Sequence, residues 1–122
     1  MGIVYYAKYL EYFEVARTEM LRAMGLPYLQ IEEKGFELPV ASASIKYFKG
    51  AAYDDELLIT ANLTPKLSPR VEIQYEVRRA SDAELIVEGE TTLVFVDGKT
   101  GKPARAPQFY LDCLNRANSL YV

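Results

Sequence analysis

The chain has 122 residues, with 14 Lys plus Arg against 17 Asp plus Glu, no histidine, no tryptophan and a single cysteine, Cys113. Without imidazole or paired thiols, a Ser-His-Asp or Cys-His nucleophile, a Cys/His zinc site and an intramolecular disulfide are excluded, so proton transfer falls to carboxylate, Lys, Tyr, water or a partner subunit. Half the residues are apolar and a quarter charged, the balance of an ordinary globular domain, and the net charge of −3 argues against nucleic acid as the main partner.

Between Ile3 and Met24 the apolar residues Tyr6, Tyr9, Leu10, Phe13, Ala16, Met20, Leu21 and Met24 recur at three and four. That spacing predicts one long helix, with Lys8, Glu11, Glu14, Glu19 and Arg22 mainly on the other side. Gly25 supplies a left-handed cap and Pro27 prevents continuation. A short helical turn follows, opened by Pro27 and closed by Gly35.

After Gly35 the period becomes 2. Phe36 to Phe48 reads as a strand interrupted by Pro39, and Leu57 to Thr64 as a second. Pro65 to Pro69 is a turn. Val71, Ile73, Tyr75 and Val77 alternate with Glu72, Gln74, Glu76 and Arg78 in a third, half-buried strand. Ser81 and Asp82 turn the chain into a fourth strand, Leu85 to Val96, whose Gly89 marks a bulge or a close approach of the helix. Asp97 to Gly101 is a turn, and Phe109 to Leu120 a terminal helix.

One long helix and four antiparallel strands make an α+β layout in a single domain over residues 1–122. One helix leaves much of such a sheet uncovered, so a homo-oligomer is expected, through strand-edge pairing or docking of sheet on helix. No run reaches the ~18 apolar residues that span a bilayer, and no basic segment followed by an apolar stretch opens the chain, which makes the cytoplasm the expected location.

The segment from Gly2 to Glu19 (GIVYYAKYLEYFEVARTE) resembles the opening helix of hotdog-fold acyl-CoA thioesterases of the 4-hydroxybenzoyl-CoA thioesterase type, a group that includes the Tol-Pal-associated short-chain acyl-CoA thioesterases. Gly35 to Val40, Ile45 to Tyr47 and Tyr53 to Leu57 are similar to the family's strand entries, and the resemblance runs from Gly2 to about Pro107. It implies a hotdog fold, in which an antiparallel sheet wraps one long central helix. It also implies hydrolysis of a short-chain or aromatic acyl-CoA to the free acid and CoA. The family's motif, Asp-x-x-Gly-x-Val-Tyr, follows a first strand, and its Asp serves as nucleophile or as general base for water. With Gly2 on the motif glycine, that Asp falls two positions before Met1, so strand and Asp are expected to lie outside this chain.

Thioester hydrolysis develops negative charge on the carbonyl oxygen, for which backbone N–H groups at a helix N-terminus are ready donors. By the resemblance, the Tyr6 N–H polarises the carbonyl and Gly2 permits close approach. The bland alternative is that Gly2, Ile3 and Val4 only begin a buried helix. Val4, Tyr5 and Tyr9 are candidates for contact with the acyl group, since aromatic walls suit a phenyl or short aliphatic chain; core packing accounts for Tyr9 equally well. Glu11 and Glu14 read as solvated helix-face residues, pairing with Lys8 and Arg17. Asp54 to Glu56 reads as a turn and Cys113 as a packing residue.

Lys66 and Arg70 are candidates for the CoA phosphates, among a wider basic set of Arg78, Arg79, Lys99, Lys102 and Arg105. No metal or prosthetic group is expected, CoA entering as part of the substrate, and the partners expected are the acyl-CoA and further copies in a homodimer or homotetramer. Two other readings stay open. One is a non-catalytic module of the same fold that binds acyl-CoA or an acyl carrier; the other is a structural dimerisation domain.

Overall fold

A computed structural model describes residues 6–52, 54–64 and 69–120, with Tyr6 and residues 115–120 described through their backbone alone. The long helix is α1, Tyr6–Ala23. Its end is a left-handed cap: Gly25 has φ +85°, the Leu26 N–H donates to Leu21 O at 2.8 Å, and Gly25 N–H to Arg22 O at 3.0 Å. Leu21 and Leu26, brought together by this cap, are both buried. A six-residue helix, α2, covers Tyr28–Glu33, with Pro27 as its N-cap and Gly35 at φ +90° beyond it.

Pro39 splits the first expected strand into β1, Phe36–Glu37, and β2, Val40–Tyr47. Lacking an N–H, it joins the ladder only through its carbonyl, which accepts the Val94 N–H at 3.1 Å. Strands β3, Leu57–Thr64, and β4, Arg70–Arg79, follow. The fourth expected strand is likewise divided, into β5, Leu85–Val94, and β6, Val96–Asp97, and β6 pairs with β1 in a two-stranded ribbon. The tail forms α3, Gln108–Leu120.

The main sheet is antiparallel in the order β2-β5-β4-β3, so β2 and β3, consecutive in sequence, lie at opposite edges. Val71, Ile73, Tyr75 and Val77 of β4 are buried toward α1, while Glu72, Gln74, Glu76 and Arg78 are half-buried on the other face. Tyr9, Phe13 and Leu21 fill the helix side of the core. Each such side chain contributes roughly 1.5–3 kcal/mol by its burial. Phe13 lies against Gly89, its ring occupying the space that a Cβ there would take, and stacks on Tyr75 at 4.4 Å with planes 13° apart. The mid-strand glycine is thus the close approach of helix to sheet. Edge strand β2 is different, being exposed along nearly its whole length with only Ile45 half-buried.

Candidate active site

Helix α1 begins at Tyr6 with no acidic residue in its first turn, which leaves the N-terminal N–H groups without a neighbouring carboxylate on their own helix. Of the sequence candidates, Gly2, Val4, Tyr5 and Lys66 lie outside the described residues. Tyr6 is the first described residue of α1.

Tyr9, one turn on, is 2% exposed and sits among aromatic rings. Tyr12 meets it edge-on at 5.9 Å, and Tyr47, the last residue of β2, lies at 5.9 Å on another side. Burial, then the nearby Tyr12 and Tyr47 hydroxyls and the Asp55 carboxylate, hold the Tyr9 phenol above its usual pKa, so it stays protonated. Tyr47 and Phe48 are half exposed beside it, and together these rings form an aromatic lip next to the first turns of α1.

Residues 48–56 connect β2 to β3 and so pass across the sheet end where Tyr9 and Tyr47 meet. Arg79, the last residue of β4, fixes this crossing. Its Nε donates to Asp55 at 3.4 Å, one terminal nitrogen to Asp82 at 2.9 Å and the other to Gly50 O at 3.2 Å. Asp55 in turn accepts the Ala52 N–H at 2.9 Å, and Ala51 is buried beneath the crossing. The acidic turn expected at Asp54 to Glu56 therefore has a structural task.

Arg17 departs from its expected ion pair with Glu14. It turns inward, 8% exposed, and donates to Tyr28 Oη at 2.9 Å and Tyr75 Oη at 3.3 Å, while Tyr75 Oη and Thr91 Oγ1 lie 2.8 Å apart. Burial opposes its charge, but these hydrogen bonds and the Tyr28 and Tyr75 hydroxyls outweigh it, and its pKa is raised. The i,i+3 spacing from Glu14 suggests an exposed pair because a helical wheel cannot register two phenols in other elements. The Lys8–Glu11 pair forms as expected, at 3.0 Å.

Arg70 opens β4, opposite Val94. Tyr47 stands level with Val87 and Val77, so within one chain Arg70 is roughly 24 Å along the sheet from the aromatic lip, at the ordinary strand rise, and on the face away from α1. The structure brings together Tyr9 and the start of α1 but does not bring Arg70 to them. Arg78 is engaged by Glu76 at 3.3 Å and by Ala83 O at 3.1 Å. A depression of about 550 Å³ on the outer face of the sheet is lined by Glu76, Glu88 and Glu90 with Lys46. Its carboxylates repel phosphate, so its size does not make it a nucleotide site.

Residues 1–114 match the model of the thioesterase-like superfamily. The chain belongs to this superfamily. Its hotdog fold is shared with the crystal structure of a dihydroxynaphthoyl-CoA (DHNA-CoA) thioesterase from Staphylococcus aureus, at a TM-score of 0.85 and 26% identity over 99% of this chain and 83% of that one. Among curated proteins, a 1,4-dihydroxy-2-naphthoyl-CoA hydrolase of Synechocystis is 31% identical over 88% of this chain and 78% of its own length. A putative esterase of the same organism is 30% identical over 85% of this chain, which spans 63% of that relative. Among the described residues no helix is long and apolar enough to cross a membrane.

Sequence reasoning missed two parts of this site. Arg79 and Asp55 are 24 positions apart, and nothing local in either stretch announces their pairing. Tyr47 was read only as part of a strand motif; its place at the strand end, where the helix passes, makes it a wall.

Proposed function

We propose that this chain is an acyl-CoA thioesterase that hydrolyses a short-chain or aromatic acyl-CoA to the free acid and CoA. The observation that carries this reading is the first turn of α1, free of carboxylates on its own helix and bordered by the Tyr9, Tyr12 and Tyr47 rings, in a chain of the thioesterase-like superfamily. In this reading the thioester carbonyl lies at the helix N-terminus and accepts the Tyr6 N–H. That bond strengthens as the carbonyl oxygen becomes an oxyanion. Water, activated by a carboxylate, supplies the attacking oxygen; the tetrahedral intermediate collapses with departure of the CoA thiolate. The rings exclude water from the acyl side and favour planar or compact acyl groups. No metal or prosthetic group takes part, and the cytoplasm, where CoA thioesters are made and used, is the proposed location.

The working unit is a homodimer formed by antiparallel pairing of β2 with β2 of a second copy. Support comes from β2 itself: an edge strand with an unpaired row of backbone groups, exposed on both faces. Val40 is level with Leu93, next to the Arg70–Val94 pair. Antiparallel pairing therefore sets the Arg70 end of one copy beside the α1 start of the other, where a cation suits the CoA phosphates.

The N–H role is tested with Tyr6→Pro. Proline is tolerated in the first turn of a helix, and Tyr6 is the first described residue of α1, so the substitution removes the donor. CoA release from benzoyl-CoA and a short acyl-CoA panel is expected to fall by about 10²–10³ relative to a Tyr6→Ala control. Equal rates in the two variants rule out the Tyr6 N–H as the polarising group.

A further inference from the structure

The connection between β2 and β3 has an unusual demand placed on it. Its ends are at opposite edges of a four-stranded sheet, so residues 48–56 must span three inter-strand gaps, roughly 14 Å, instead of turning tightly. They do so along one end of the sheet, and fixed points hold them there. The Phe48 and Lys49 N–H groups donate to Ile86 O at 2.9 and 3.3 Å, Lys49 pairs with Glu84 at 2.8 Å, and the Ala80 N–H donates to Glu56 O at 2.8 Å. The centre of the crossing depends on one side chain. The three-way fork of Arg79 reaches Gly50 O, Asp55 and the β4–β5 turn at Asp82, so it ties the crossing to the sheet on both sides of Ala51 and Ala52.

This crossing borders the proposed acyl site. It starts directly after Tyr47, whose ring touches Tyr9, and Phe48 stands half exposed at its beginning. We propose that residues 48–52 and 54–56 form one wall of the acyl pocket and that Arg79 positions this wall, making Arg79 a determinant of which acyl groups are accepted. The proposal rests on the thioesterase reading. Arg79 suits the task because a planar guanidinium can hold three acceptors at fixed angles, which a lysine ammonium on a flexible stem does not do.

Arg79→Gln, Arg79→Lys and wild type are compared with acetyl-CoA, which touches little of a wall, and with benzoyl-CoA, which touches much. In Arg79→Gln the kcat/KM for benzoyl-CoA relative to that for acetyl-CoA is expected to fall about fivefold or more, through KM rather than kcat, and Arg79→Lys is expected to recover part of the loss. Hydrogen exchange at the Ala52 amide, held by Asp55, reports whether the crossing has loosened. Faster exchange with unchanged benzoyl/acetyl selectivity overturns the proposal, as does an equal loss on both substrates through kcat. Should Arg79→Gln not fold, Asp82→Asn removes one arm of the fork, and a smaller shift in the same direction is expected; no shift with faster exchange overturns the proposal.

Absence of turnover by wild type on every thioester defeats the thioesterase reading separately. The wall is then judged by binding of non-hydrolysable thioether analogues carrying the same two acyl groups. Selective weakening of the benzoyl analogue in Arg79→Gln upholds the wall, and equal binding or no binding overturns it.

Discussion

Tyr110 carries a buried hydroxyl that has no hydrogen-bond partner among the described residues, its ring tilted against Phe95 at 5.1 Å. Burial alone pushes its pKa up to about 12. A buried phenol with nothing to bond to costs free energy on the order of 1–3 kcal/mol, so Tyr110→Phe is expected to stabilise the protein by about 1 kcal/mol in urea denaturation. The pH dependence has a definite sign. The folded state holds the phenolic proton more tightly than the unfolded chain, so stability falls as pH rises from about 10 through about 12. Tyr110→Phe should make that alkaline decline shallower. A variant less stable than wild type at pH 7 would falsify this account. Arg17 shows the opposite use of phenols: there, two hydroxyls satisfy a buried cation instead of going unsatisfied.

At the scale of elements, the closest contact between helix and sheet is Phe13 on Gly89. A methyl at position 89 meets the ring directly, and the ring is held from behind by its stack on Tyr75. Gly89→Ala is therefore expected to destabilise by about 1–3 kcal/mol through overpacking, and Phe13→Leu in the same chain to restore part of that loss. Strictly additive effects in a double-mutant cycle would show that the two positions do not share this space. Gly89 was legible as a close approach because a glycine inside an alternating strand has few other uses. The end of α1 at Gly25 and the alternation of β4 were legible for similar local reasons. The break of the first strand at Pro39 was legible too, whereas the division of the fourth was not, because β6 leaves the main sheet to pair with β1, some sixty positions away in sequence. The site was legible in the same measure. Helix α1 followed from periodicity and the role of its start is carried by resemblance alone, whereas the path of the connection between β2 and β3 depends on strand order, which no local pattern encodes.

At the scale of the whole molecule, the proposed homodimer rests on the exposed edge strand β2. Ala43 pairs with Thr91, whose side chain is buried toward α1, yet Ala43 itself is exposed. A lysine placed there puts a charge on the face that a second copy would bury, as natural edge strands do to block pairing. Sedimentation is expected to show a dimer for wild type and a monomer for Ala43→Lys, with loss of acyl-CoA hydrolysis in the monomer if the Arg70 end of a second copy serves the site. A wild-type monomer with full activity would remove the second copy from the mechanism.

Arg17 and Arg79 also give the molecule two joints that respond differently to acid. Arg79 holds the crossing through Asp55 and Asp82, and the Asp82 carboxyl, kept below its ordinary range by the Glu84 N–H and by Arg79, must lose its charge as pH falls below about 4. Arg17 joins α1 to α2 and the sheet through the Tyr28 and Tyr75 hydroxyls, so no carboxylate takes part in those two hydrogen bonds. Acidification thus unlatches the rim of the molecule while leaving the joint between helix and sheet as it was.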